Sequence, residues 1–248
     1  MKVISLNILG GRVFEPLKSF LTNEALDTDF FCFQEVYDSP SDQMINDGAK
    51  SNIFLELQNM LPGFKGYYEK TLDNCSGYVD VSLGLAIFAK KGIKLQSGQT
   101  LIALHEDEPP TNLQFARFEQ NGNRYTLAHI HGIVNPGSKT DSADRLIQSI
   151  NIDRFLNNES GKKILCGDFN LLPNTVSIEL IEQASMRDLI KEFGIKTTRS
   201  DLNFAKYPAG NRQLFADYMF VSTDVNVTNF KVPKINVSDH LPLKLQLQ

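Results

Sequence analysis

The stretch KILCGDFN, residues 163–170, joins an apolar run to a polar ending and indicates how the chain is built. Its first half has the length and composition of a buried β-strand. If the strand continues through Asp168 and Asn170, both side chains point to the same side of a sheet. An Asx turn is the alternative. A calcium-binding loop is a weaker alternative, because Leu172 and Pro173 stand where such a loop needs a ligand and a glycine.

The same alternation of apolar runs and polar breaks continues along the 248 residues. The predicted strands cover residues 2–9, 29–33, 64–68, 83–89, 113–118, 124–131, 163–166, 215–221, 225–232 and 241–247. Helical spacing covers residues 16–26, 53–61, 142–156 and 177–184. Many strands are apolar on both faces, so we expect two packed sheets with helices outside. No linker or repeat interrupts the pattern, which favours one domain over residues 1–248.

Composition narrows the classes of function. No apolar run approaches the roughly 20 residues that cross a bilayer, so we expect no membrane anchor. The net charge of -4 disfavours tight nonspecific binding to nucleic acid, which needs a basic footprint. The three cysteines include no C-x-x-C pair, which indicates neither a disulfide framework nor a zinc knuckle. A reducing, cytoplasmic compartment fits them best.

A few isolated oxygen ligands at strand ends are typical of a Mg²⁺ phosphoesterase. Such an enzyme needs a hard cation to neutralise charge on the phosphoryl oxygens and an aligned water for attack. Glu35 and Asn7 each end a predicted strand and are candidate ligands. Taken singly, Glu35 is ordinarily a solvated glutamate at a strand end, and Asn7 is ordinarily a residue that forms a turn or a cap.

A second polar cluster, SDHLP at residues 238–242, also adjoins an apolar strand-like segment. Its His240 can clamp a phosphoryl group, with Asp239 at a metal ion. The start of an edge strand is the alternative. Asp217 lies in another predicted strand and can orient His240, as acids often orient catalytic imidazoles.

Two histidines stand two residues apart in the stretch AHIHG, residues 128–132. On a strand, His129 and His131 share a face. They can form half of a zinc site, but no third soft ligand lies near them in the sequence. A histidine that polarises the phosphate or protonates the leaving oxygen fits equally well. His105 lies in an acidic stretch and is predicted to be a surface residue.

Taken in order, these segments resemble the endonuclease/exonuclease/phosphatase superfamily. That group includes deoxyribonuclease-I-like nucleases, exonuclease-III-like AP endonucleases, neutral sphingomyelinases, inositol polyphosphate 5-phosphatases and deadenylases. The segments that carry the resemblance span almost the whole chain: residues 4–7, 33–35, 84–88, 128–130, 167–170, 216–221 and 238–240.

The resemblance implies a four-layer α-β-β-α sandwich of two mixed sheets, with the site at one end. It implies that Glu35, Asp239 and Asn7 hold Mg²⁺, for which Mn²⁺ can substitute, and that Asn7 also supports the phosphate. It implies that Asp168 activates water and Asn170 holds the phosphate.

The histidine assignments also come from the resemblance. His240 completes the site and Asp217 orients it. His129 matches the histidine of the deoxyribonuclease-like and sphingomyelinase-like branches, and His131 is the alternative for that role. AP endonucleases usually have tyrosine there, which argues against that branch.

Basic residues in or beside long loops are candidates for contact with the substrate phosphate. They are Lys139, Arg145, Arg199 and Arg212, and a solvated surface charge is the alternative for each. We therefore predict a monomeric Mg²⁺-dependent phosphodiester hydrolase, a nuclease, that acts by in-line attack of a metal-associated water. A phosphatase or phospholipase for small or lipid phosphoesters and a catalytically inactive binding module are the alternatives.

Overall fold

Two six-stranded mixed sheets form the centre of the molecule. The computed structural model describes residues 1–45, 48–104, 109–207 and 209–248. In chain order the strands are β1 Lys2–Asn7, β2 Phe30–Asp38, β3 Met44–Ile45, β4 Ala49–Lys50, β5 Phe64–Leu72, β6 Ser82–Lys90, β7 Leu95–Ala103, β8 Thr111–Gln120, β9 Asn123–His131, β10 Lys162–Asp168, β11 Met186–Asp188, β12 Asp217–Ser222, β13 Val227–Lys231 and β14 Leu243–Leu247. The α-helices are α1 Phe14–Glu24, α2 Ile53–Met60, α3 Ala143–Asn158, α4 Val176–Gln183, α5 Leu189–Glu192 and α6 Asp201–Phe204.

The strand order places two parallel pairs at the middle of the sheets. The first sheet has the order β13-β14-β1-β2-β6-β5, and the second has the order β11-β12-β10-β9-β8-β7. The pairs β1–β2 and β9–β10 are parallel, and the other neighbours are antiparallel. In each parallel pair the carboxyl ends of both strands reach the same edge, so polar residues that follow these strands lie side by side.

Alternating side chains separate the layers. In β1, Val3 belongs to the buried cluster that joins the two sheets, whereas Ile4 belongs to the cluster under α1 and α2. Ile152 of α3 and Ile178 of α4 pack on the outer side of the second sheet. Each fully buried side chain of this size contributes roughly 1.5–3 kcal/mol. The result is the expected sandwich of helices, sheet, sheet and helices.

The structure corrects several expected boundaries. Strand β2 does not end near Glu35 but continues to Asp38. Strand β10 stops at Asp168, so no strand continues to Asn170. Strand β7 was not predicted, because it is an edge strand with polar residues and a glycine in its first half. His105 lies outside the described residues. Of the helices that the structure describes, none has the length and apolar character needed to cross a membrane.

Candidate active site

An oxygen-rich corner forms where the two parallel pairs end. The Asn7 amide donates to Glu35 Oε1 at 2.9 Å and to Asp168 Oδ2 at 3.1 Å, so it links the first sheet to the second. His131 Nε2 lies 3.8 Å from Glu35 Oε1 and 3.7 Å from Asp168 Oδ2. Each central strand therefore contributes one polar group to a single point, three of them from the strand end and Glu35 from within β2.

A β-bulge aims Glu35 at this corner. The pairing of β2 with β6 shifts between Phe33–Ala86 and Val36–Gly84, so Gln34 and Glu35 together lie opposite the single residue Leu85. Its φ of 55° lies in the left-handed region, which costs a non-glycine residue about 1–2 kcal/mol. Bulges of this kind redirect a side chain next to active sites. About a quarter of the Glu35 side chain stays accessible.

The GDFN turn shapes the opposite wall. Asn170 N donates to Asp168 Oδ1 at 2.9 Å, so the Asx-turn alternative is the correct one. The Asn170 amide also donates to the Gly132 carbonyl at 3.0 Å. Gly167 is required before this turn: its φ is 126°, and a Cβ atom there would lie 2.2 Å from the Ile130 carbonyl oxygen. Both polar side chains are held rigidly and almost fully buried.

A buried imidazole lies between two carboxylates. His240 Nδ1 is 2.8 Å from Asp217 Oδ1, and its Nε2 is 3.6 Å from Asp168 Oδ2. Burial and Arg199 lower the pKa of His240, but the two carboxylates raise it more, so the net shift is upward. Burial raises the pKa of Asp168, but His240, His131 and nearby cations lower it further, so this pKa falls well below its usual range. Asp168 is therefore ionised at neutral pH.

Two buried cations complete the wall beside this imidazole. The Lys139 ammonium donates to Asn170 Oδ1, and the Arg199 guanidinium contacts His240 Nε2. A short antiparallel bridge pairs Arg199 with His240, which fixes the two side chains relative to each other. Burial lowers the pKa of Lys139.

These groups open into one cavity of about 500 Å³, called here the catalytic cavity. It is lined by Glu35, His131, Val134, Gly137, Lys139, Asp168, Asn170, Arg199, Asn203, Tyr207, Asn211, Gln213, Asp239 and His240. A larger cavity of about 860 Å³ lies between residues 92–96 and 117–126. It contains no predicted site residue, and its Arg117 and Glu159 already form a bidentate ion pair.

The oxygen donors fit a hard divalent cation. Glu35 reaches the catalytic cavity and the Asp168 carboxylate lies beside it, and carboxylate oxygens are ligands that Mg²⁺ prefers. Asn7 turns its amide NH2 toward both carboxylates, while its Oδ1 accepts from Leu9 N at 3.0 Å, which corrects the expectation that Asn7 is a metal ligand. Asp168, Asp217 and His240 also place one ligand-type atom each within 4.8 Å of one another. The hydrogen bonds of His240 to Asp217 account for that closeness, and an imidazole is a poor Mg²⁺ ligand. The corner at Glu35 therefore fits the ion better.

Asp239 lines the catalytic cavity but has other partners. Its Oδ2 accepts from Lys206 at 3.3 Å and from Asn203 at 3.4 Å, and its Oδ1 lies 3.9 Å from His240 Nε2. No contact joins Asp239 to Glu35 among the residues that the structure describes. Lys206 and Asn203 were not singled out from the sequence, because nothing in their spacing marks them.

His129 is corrected from a site residue to an interior one. It is fully buried, its Nδ1 accepts from the Gln34 amide at 2.9 Å, and its Nε2 donates to Gln114 Oε1 at 2.6 Å. Both ring nitrogens are thus occupied, which also disagrees with a zinc half-site. Burial lowers the pKa of His129 to about 3, so the ring is neutral. His131, one pair of residues further along β9, is the histidine that the structure brings to the site.

Two of the four basic candidates do not reach the catalytic cavity. Arg145 is fully buried and donates to the carbonyls of Ile133, Pro136 and Thr140, so it shapes the loop before α3. The exposed Arg212 stacks on the Phe204 ring. These contacts correct the expectation that either residue touches substrate phosphate.

Comparisons with known proteins agree with this architecture. The model of the family described as endonuclease/exonuclease/phosphatase matches residues 4–240. A protein of that family from Leptotrichia buccalis C-1013-b is 20% identical, with a TM-score of 0.74 over 100% of this chain and 99% of its own. The mannosyl-6-phosphatase Bt3783 of Bacteroides thetaiotaomicron is 16% identical, with a TM-score of 0.71 over 100% of this chain and 99% of its own.

A third similar structure is D. rerio TDP2 complexed with a single-strand DNA product. It is 15% identical, with a TM-score of 0.71 over 99% of this chain and 97% of its own. No curated protein matches the chain in sequence. At these identities the solved structures show a shared fold.

Proposed function

The chain belongs to the endonuclease/exonuclease/phosphatase family, and from this premise we propose that it is a divalent-metal-dependent phosphoester hydrolase. The observation that carries the proposal is the convergence of Glu35, Asp168 and His240 in one cavity, although they come from three distant segments. A catalytically inactive binding module would not need this complete set of two carboxylates, Glu35 and Asp168, and an imidazole paired with a third carboxylate.

Each group has a distinct part in the reaction. A bound Mg²⁺ or Mn²⁺ would neutralise charge on the phosphoryl oxygens, and Glu35 would hold it. Asn7 would orient the Glu35 carboxylate, to which its amide donates. Asp168 is ionised and accepts a hydrogen bond from the attacking water, which orients that water in line with the scissile bond. Asp217 fixes the His240 ring through Nδ1, which leaves the Nε2 side of the ring, beside Arg199, facing the phosphoryl group.

His131 and Asn170 support these groups. His131 lies between Glu35 and Asp168 and can donate to the phosphate or protonate the leaving oxygen. The Asn170 amide is committed to the Gly132 carbonyl, so we assign Asn170 chiefly to positioning Lys139. This differs from the direct phosphate contact that the resemblance implies.

The substrate class stays open between a nucleic acid and a small phosphoester. Structural neighbours include a named phosphatase and a protein complexed with a DNA product, so the fold supports both. The net charge of -4 does not favour a long polyanion. The nuclease activity, the monomeric state and the cytoplasmic location stay predictions.

The direct test is hydrolysis of aryl phosphomonoesters and phosphodiesters with Mg²⁺, Mn²⁺ or a chelator. We expect turnover that the chelator abolishes and that either metal restores. Asp168→Asn should lower kcat by about 10²-fold or more, whereas the exposed Arg212→Gln should match the wild type. Intact substrates under every metal condition would contradict the proposal and support a binding module.

A further inference from the structure

Two cations of the catalytic cavity have no anionic partner. Lys139 and Arg199 are 7% and 8% exposed, and within the described part of the chain no carboxylate oxygen lies within 4 Å of either one. Their hydrogen-bond partners are the neutral amide of Asn170 and the ring of His240. Lys206, a third cation on the same wall, is paired with Asp239 at 3.3 Å. Of these three cations, only Lys139 and Arg199 lack an ion pair in the part of the chain that the structure describes.

Burying a cation without an anion is unfavourable by several kcal/mol, so a retained pair of such cations needs a reason. Arg199 Nε is also buried without a hydrogen-bond partner in the described structure, so part of its fork of donors is unused. Another buried cation, Arg145, donates to several backbone carbonyls, and these hydrogen bonds account for its burial. Among the described residues the Arg199 guanidinium has no such set of carbonyl acceptors and contacts only the His240 ring. An anion from outside the chain would satisfy both residues.

The loops that carry the two cations are tied together. Lys139 lies in the first segment, between β9 and α3. Arg199 lies in the second segment, which runs from α5 through α6 to β12. Gln213 Nε2 from the second segment donates to the Gly137 carbonyl of the first at 2.6 Å. Both residues of this bond line the catalytic cavity. The bond therefore closes one side of the cavity, which suits a small anionic group better than a polymer lying across an open groove.

The number of charged groups in the catalytic cavity indicates the charge of the phosphate group that it can bind. A phosphodiester carries one negative charge and two non-bridging oxygens, which a metal ion held by Glu35 and the imidazoles of His131 and His240 would satisfy. A phosphomonoester carries about -1.5 to -2 and three such oxygens. The additional charge and oxygen match the two unpaired cations. Arginine in particular binds phosphate through two parallel N–H donors.

We propose that Lys139 and Arg199 form a two-cation receptor for the terminal phosphate of a small phosphomonoester, and that this receptor makes the chain a phosphomonoesterase. The inference rests on the proposed hydrolase function for its kinetic consequence. The receptor itself is a property of the cavity and can be measured without turnover.

The kinetic test uses two substrates with the same leaving group, p-nitrophenyl phosphate and methyl p-nitrophenyl phosphate, in the presence of Mg²⁺. Lys139→Gln and Arg199→Gln should each lower kcat/KM for the monoester about 10- to 100-fold, the effect of one charged hydrogen bond. For the diester, which carries one negative charge less, each variant should lose less, so the ratio of kcat/KM for the monoester to that for the diester should fall. Arg199→Lys keeps the positive charge but loses the paired N–H donors of the guanidinium, so its kcat/KM for the monoester should lie between those of the wild type and Arg199→Gln. Arg212→Gln, an exposed arginine of the same segment, is the matched control.

The binding test is calorimetric titration of inorganic phosphate in chelator. The wild type should bind phosphate, and both Gln variants should weaken it at least about tenfold while circular dichroism stays unchanged. Equal losses on the two substrates, or unaltered phosphate affinity in both variants, would overturn the receptor. A wild type that binds phosphate through these residues but hydrolyses neither substrate would overturn only the proposed hydrolase function.

Discussion

The buried His129 links folding stability to pH. Its ring is neutral in the folded protein because burial lowers its pKa to about 3, whereas an unfolded histidine titrates near 6.5. Below about pH 6.5 the unfolded chain therefore binds one more proton than the folded chain. The stabilisation is complete above that pH and is lost as the pH falls toward about 3. From pH 7 to pH 5 the loss is about 2 kcal/mol, at about 1.4 kcal/mol per unit once the unfolded histidine is charged.

Urea denaturation at pH 7 and pH 5 measures this loss when wild type is compared with His129→Gln. Glutamine supplies one acceptor and one donor to replace the ring contacts with Gln34 and Gln114, but it does not titrate. All other titrating groups are common to both proteins, so any difference in how the free energy of unfolding changes between pH 7 and pH 5 comes from His129. The wild type should lose about 2 kcal/mol more than the variant, which is a midpoint shift of about 1 M urea at an m-value near 2 kcal/mol/M.

The same variant tests the corrected location of this residue. A catalytic histidine contributes about 10²- to 10⁴-fold to the rate, but neither nitrogen of His129 faces the catalytic cavity. Turnover of His129→Gln at pH 7 should therefore stay within about tenfold of wild type. An equal change in the free energy of unfolding between pH 7 and pH 5 for the two proteins would refute the reasoning. So would a 10³-fold loss of rate in His129→Gln with the fold intact.

Three further predictions concern the catalytic cavity. Glu35→Gln should raise the Mg²⁺ concentration for half-maximal activity at least about tenfold, since one ligand charge is removed; an unchanged metal titration contradicts the assignment. Asp168→Asn should lower kcat by about 10²-fold or more with an unaltered circular dichroism spectrum, and near-normal kcat contradicts it. Asp217→Asn should lower the pKa of His240, whose rise depends on that carboxylate. The alkaline limb of the pH–rate profile should therefore move to lower pH, and an unmoved limb argues against the pairing.

The sequence predicted the segments of the site but not their depth or geometry. Polar residues after apolar runs identify strand ends, which is why Asp168 and His240 were found. A spacing of two residues places His129 and His131 on one face, but it does not say which lies past the end of the sheet. Burial along the strand decides that, and it depends on the length of the neighbouring strands. The left-handed conformation of Glu35 was equally hidden, because it comes from the register shift against β6.

Long-range pairing explains what else the sequence did not reveal. Arg199 was one of several loop cations, and only its bridge to His240 separates it from the exposed Arg212. For Lys139 a solvated surface charge is the alternative to a phosphate contact on sequence grounds, yet the structure buries it against Asn170. Such contacts join residues from distant segments, so they depend on the packing of the two sheets and not on any local pattern.

The distribution of charge unites these observations. Glu35 and Asp168 leave an excess of negative charge at the ends of β1, β2 and β10, whereas Lys139 and Arg199 leave an excess of positive charge across the same cavity. The two groups of charge offset each other only in part across the cavity, since no ion pair within the described ranges joins them. The proposed divalent cation would offset the first and the proposed phosphate dianion would offset the second, and the two ligands would attract each other. The proposed hydrolase function and the proposed two-cation receptor thus place metal and phosphate on opposite walls of one cavity.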